Sequence, residues 1–237
     1  KGENEVFWTL MLNYLGFPSL YTKIVEVNFN GQIYKAIFQE DATKEFLERN
    51  NLTETVILKS NDFGFYLNKK EKKIYENIYS SSFVIDNNSF LKNDTSNYIV
   101  SEAIASKANI NFADLVLNEN FFKKIHRKYA NHALGEINRK FIYIPYKKLF
   151  LPLYYDGNVQ FLPGKTSCKA KIDDKILDNF KKDFKTLSGK KLSKMQECVL
   201  ADTLKLSQGN IKKLSEFFPN KKINNKKDIK YLEIKDK

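Results

Sequence analysis

The sequence predicts an α+β fold in two lobes, and three observations point that way. Strand-like and helix-like segments are mixed through the first half of the chain, and helices dominate the second. Two pairs of β-prone runs carry hairpin signals, one around Asn30-Gly31 and one across residues 139–155. Hydrophobic residues make up 42% and aromatics 14% of 237 residues, enough for a core and too much for wholesale disorder. Strands do not alternate regularly with helices, so a doubly wound sheet is disfavoured.

The elements follow in order. Residues 6–15 form an apolar run of helical length, stopped by Gly16 and Pro18. Residues 21–29 alternate apolar and polar, Asn30-Gly31 turns the chain, and 32–38 return as a second strand. Residues 40–49 read as a helix with Phe46 and Leu47 on its buried side. Short strands are expected at 55–58 and 64–67, and a loosely structured, Asn/Ser-rich crossing at 74–97. Helices are expected at 97–108 and 113–127, with Phe121, Phe122 and Ile125 facing the core. The runs 139–144 and 150–155 form a second hairpin that ends at Asp156-Gly157-Asn158. Helices are then expected at 172–187, 194–206 and 210–218, before a Lys/Asn-rich tail from Pro219 that frays.

Net charge is +12, which invites a nucleic-acid reading. The composition argues against it. Only Arg49, Arg127 and Arg139 are arginines, and arginine is the side chain that grips phosphates and bases in a bidentate fork. A lysine-coated surface accounts for the charge, and nucleic acid is not expected as a partner. No apolar run approaches the roughly 18 residues of a membrane span. Cys168 and Cys198 lack metal-like spacing, and the sequence leaves open a bridge between them. Lys1 in place of Met reads as the start of a piece cut from a longer chain, so the compartment, cytoplasm or cell surface, stays open.

The chain carries no HExxH, CxxC, GxSxG, P-loop or GxGxxG pattern, which removes support from zinc hydrolases, serine hydrolases and common nucleotide folds. The densest group of polar residues spans 131–158. A loop with His132, Glu136 and Asn138 leads into a hairpin that delivers Asp156 in a turn. A carboxylate just past a strand, with an amide oxygen from a nearby loop, is a hard-oxygen pair suited to Mg²⁺. Protein kinases use such a layout, a catalytic loop ending in Asn, then a hairpin, then an Asp-x-Gly turn. Each residue alone also reads as ordinary turn or cap chemistry.

With these residues in view, the chain resembles the CotH-type atypical protein kinases, related to a bacterial spore-coat kinase. Residues 30–49 (NGQIYKAIFQEDATKEFLER) are similar to the family's Asn-Gly hairpin, aromatic strand, Gln-Glu pair and Phe-Leu-Glu-Arg helix, and Leu-Gly-x-Pro at 15–18 fits as well. Residues 131–158 resemble a branch with a His-x-Leu loop, an Asn-Arg-Lys-Phe strand and a Tyr-Tyr-Asp-Gly turn. Together the likeness covers roughly residues 5–160. It implies an atypical protein-kinase-like two-lobed fold, with a partial N-lobe at 1–95, a mostly helical C-lobe at 96–218 and a basic tail at 219–237.

The resemblance also implies ATP with Mg²⁺ or Mn²⁺ as cofactors and a protein hydroxyl as acceptor. Asn138 and Asp156 match metal-binding positions. Asn158 stands where a second Asp is usual, and Tyr155 where a Trp is usual. Glu40 matches the Glu of the Gln-Glu pair and is carried over as a cofactor-binding residue. Ala133 stands where the catalytic Asp belongs, so His132 and Glu136 become the catalytic candidates. The family's nucleotide-facing lysine strand would precede Lys1. The alternative expectation is a pseudokinase-like surface or assembly module that keeps the fold without the chemistry.

Overall fold

The computed structural model describes residues 2–60, 83–108, 111–135, 138–162, 168 and 170–207. It is an α+β protein, with two antiparallel sheets among the described residues. The chain opens with α1 (Gly2–Tyr14), followed by the hairpin β1 (Thr22–Phe29) and β2 (Gln32–Gln39) and the short α2 (Lys44–Arg49). Strands β3 (Ile57–Ser60) and β4 (Phe83–Ile85) come next, then α3 (Asp94–Lys107) and α4 (Glu119–Tyr129). The hairpin β5 (Lys140–Ile144) and β6 (Leu149–Leu153) precedes α5 (Asp174–Ser188) and α6 (Lys194–Ser207). Among the described residues no helix is long and apolar enough to cross a membrane.

The first hairpin forms where the Asn-Gly pair predicts it. Asn30 and Gly31 both take positive φ, which suits the right-handed twist of the strands, and Asn28 Oδ1 accepts the Gly31 N–H at 3.0 Å. Phe29 pairs with Gln32 and Thr22 with Gln39, so the register is continuous from tip to base. The second sheet has the order β4-β3-β5-β6. Its alternation sends side chains to two covered faces. Ile57, Ile142, Ile144, Leu151 and Leu153 meet Phe46 and Leu47 of α2 on one side. Leu58, Phe141, Tyr143 and Phe150 meet Val100 and Ala103 of α3 on the other.

The largest apolar cluster is built around α1. Its seven residues from Val6 to Leu12 are all buried, so this helix is apolar around its whole circumference and must be enclosed. It is enclosed by α4, α5 and α6, with Phe7 edge-on to Phe180 at 5.4 Å. Burying a side chain such as Phe7 or Met11 contributes about 2–3 kcal/mol. Strands from both sides of residue 95 share the second sheet, and residues from both sides share this cluster. A Cys168–Cys198 disulfide ties the irregular stretch after β6 to α6.

Several expected elements change in detail. The expected helix at 113–127 is interrupted. Val116 bridges to Phe150, Asn118 takes a left-handed φ of 58°, and only then does α4 begin. The expected helix at 40–49 begins at Lys44, because Glu40 is spent at the base of the hairpin and Thr43 takes the N-cap position. The described part of the crossing is ordered by β4 pairing with β3, and α3 starts early, at Asp94, through an Asn93–Ser96 capping box. The strand expected at 64–67, the helix expected at 210–218 and the tail at 219–237 lie outside the described residues.

Candidate functional site

Three consecutive residues that lead into β5, Asn138 to Lys140, point to three different anchors. Arg139 donates from one nitrogen to both Glu119 carboxylate oxygens at 2.9 Å, and its guanidinium lies over the Phe141 ring at 4.8 Å. This clamps the strand to the first turn of α4. Lys140 is nearly buried. Its Nζ is 2.6 Å from Asp86 Oδ2 and 4.0 Å from the centre of the Tyr155 ring. Asn138, only 6% exposed, turns back and donates its Nδ2–H to the His132 carbonyl at 2.9 Å.

The turn after β6 is shaped by close packing. Asp156 and Asn158 both carry left-handed φ values, 41° and 45°. The position between them admits only glycine, since a Cβ on Gly157 would sit 2.3 Å from the Tyr154 hydroxyl oxygen. That hydroxyl accepts the Gly157 N–H at 3.0 Å and donates to Glu5 on α1. Burial first, and then the Glu5 carboxylate, holds the Tyr154 phenol far above its ordinary range. Glu5 also accepts the Val159 N–H at 3.0 Å, and Gln160 N–H donates to the Tyr129 carbonyl at 2.9 Å. The backbone is therefore pinned from behind while the Asp156 side chain faces solvent.

His132 joins the two sides. Its Nε2 lies 3.4 Å from Asp156 Oδ2, and both side chains are about half exposed, 52% and 57%. Through its carbonyl and its ring, His132 brings Asn138 and Asp156 into one neighbourhood. Asn158 is exposed on the same turn as Asp156. Glu40 is not part of this group. Its carboxylate accepts the Tyr21 N–H and pairs with Arg49, which also donates to the Ser19 carbonyl at 2.8 Å. No hydrogen bond joins Glu40 to His132, Asn138 or Asp156 among the described residues. Glu136 lies outside the described residues.

Asp156 carries a carboxylate, and Asn138 and Asn158 carry amides, residue types whose oxygens hard divalent cations take. Among the described residues no three or more His, Cys, Asp or Glu side chains form a metal-sized group, so these residues would not make a complete cage by themselves. The second histidine is a core residue. His126 accepts from Trp8 Nε1 at 3.1 Å and donates from Nδ1 to the Phe122 carbonyl at 2.7 Å.

Glu5, Tyr154, Lys140 and Asp86 shape the site without having been expected to. In the sequence Glu5 is one of two acidic residues, with Glu3, ahead of the apolar run 6–15, and nothing there separates the two. Compared with known proteins, the chain matches no family model and no curated protein.

Proposed function

We propose that this chain is that of a CotH-like kinase, which transfers a phosphoryl group from ATP to a protein hydroxyl with Mg²⁺ or Mn²⁺. The observation that carries the reading is the chain of contacts from Asn138 through His132 to Asp156. It joins a loop amide and a turn carboxylate, the two side chains that the resemblance assigns to metal.

In this reading Asp156, Asn138 and Asn158 present oxygens to the cation. When bound, the cation would draw the phosphates together and offset their charge. His132, with Nε2 3.4 Å from Asp156 Oδ2, stands beside the metal-binding turn as the base for the proton of an acceptor hydroxyl. Glu40, engaged by Arg49, contributes by fixing the base of the β1–β2 hairpin.

The test is transfer of labelled γ-phosphate from ATP by the protein, with Mg²⁺ and with Mn²⁺, and with phosphosites mapped by mass spectrometry. Asp156→Ala is expected to remove at least 99% of the transfer, about 2.7 kcal/mol of barrier. Transfer that survives that substitution rejects the role of Asp156.

A second reading is favoured by one observation. Ala133, where a catalytic Asp is expected, is 2% exposed and packs in the main core, so its position offers no group to a substrate. A pseudokinase-like assembly module would fit that loss. No transfer with any divalent cation would favour the module over the enzyme.

A further inference from the structure

Glu5 spends both carboxylate oxygens on the segment that carries Asp156. Its Oε1 accepts the Val159 N–H at 3.0 Å, and its Oε2 accepts the Tyr154 hydroxyl. The same hydroxyl oxygen accepts the Gly157 N–H at 3.0 Å. One carboxylate on α1 thus grips the chain before Asp156 and after Asn158, and through Tyr154 it also reaches the residue between them. Asn4, its neighbour on α1, adds a bond from Nδ2 to the Val159 carbonyl at 3.3 Å. Asp156 and Asn158 hold left-handed φ values, a region that Asp and Asn enter more readily than other residues with a Cβ, and the bonds to Glu5 and Tyr154 fix the turn in that form.

We infer that Glu5 is a positioning residue for the Asp156 turn: it holds the left-handed backbone that aims the carboxylate outward toward His132. The inference rests on reading Asp156 as a metal ligand. It goes beyond that reading by making helix α1, remote in sequence, part of the site. Glu5 acts through hydrogen bonds to Tyr154 and Val159 and touches no reacting atom. Gln at position 5 has one oxygen in place of two, so it can accept from Val159 or from Tyr154 but not from both with the present geometry.

The experiment uses the full chain as wild type, Glu5→Gln and Tyr154→Phe. The second variant keeps the packed ring and removes the hydroxyl, so it serves if Glu5→Gln folds poorly. Amide exchange by NMR reads the turn directly, and titration with MnATP by calorimetry reads the site. The expected result is at least tenfold faster exchange at Gly157 and Val159, unchanged exchange in the middle of α4, and at least tenfold weaker MnATP binding. Unchanged exchange at Gly157 and Val159 overturns the clasp. Faster exchange with unchanged MnATP affinity, while Asp156→Ala still loses binding, overturns the positioning role and leaves the metal reading intact. If the wild type binds no MnATP, the metal reading fails, and the exchange rates alone decide whether Glu5 holds the turn.

Discussion

Trp8 and His126 set how the core responds to pH. His126 is wholly buried, and burial pushes its imidazole down to about 3, with the nearby Arg139 charge adding to the effect and the Phe122 carbonyl opposing it. Its folded value lies below its unfolded value of about 6.5, so the unfolded chain takes up the proton first. The stabilisation is present above pH 6.5 and is lost as pH falls toward 3. Between pH 7 and pH 5 the His126 share of the loss is about 2 kcal/mol. Urea unfolding at both pH values checks this, and His126→Gln should flatten that part of the curve. In the sequence, His126 and His132 look alike. They differ because Trp8, 118 residues away in the chain, closes over one of them. The turn at Asp156 was legible from a local pattern, a strand followed by Asp-Gly. Glu5 was not, since its partner Val159 lies 154 residues along the chain.

Helices and strands were legible where local chemistry decides them. The β1–β2 hairpin follows from Asn30-Gly31, and β5–β6 follows from two aromatic runs with a short link. The break before α4 was not legible, because Val116 is held by Phe150 of a strand that comes later in the chain. Strand β4 is only three β-prone residues, Phe83–Ile85, too short a run to stand out in an Asn/Ser-rich stretch, and it forms through its pairing with β3. The turn after β6 adds a prediction at this scale. Gly157→Ala forces Tyr154 to move, since the new methyl would meet the hydroxyl oxygen and the ring. A destabilisation of roughly 1–3 kcal/mol is expected in chemical unfolding. The Cys168–Cys198 bridge spans 30 residues and fastens the stretch after this turn to α6. A loop of that length is worth about 3–4 kcal/mol on the chain-entropy view. Cys198→Ser, or added reductant, should lower the unfolding free energy by that order, and an unchanged denaturation midpoint would contradict it.

For the molecule as a whole, the +12 charge comes from a lysine-rich composition with three arginines. Generic binding to DNA or RNA is expected to be weak and to vanish as salt rises toward about 0.2 M, as counterion release dictates. Filter binding across a salt series measures it, and tight binding that persists at that salt would move nucleic acid to the front. The apolar composition made the α+β class legible. The layering of α1 under three helices was not, because it depends on contacts between the two ends of the described chain. The site inherits that layering, with α1 behind the turn and the β5–β6 hairpin joining its two halves. Its central claim is that Asn138 and Asp156 together hold a divalent cation for ATP. Calorimetric titration of the full chain with MgATP and MnATP, beside Asp156→Ala and Asn138→Ala, tests it most directly. The expected result is metal-dependent binding that weakens at least tenfold in each variant. Equal affinity in wild type and Asp156→Ala would contradict it.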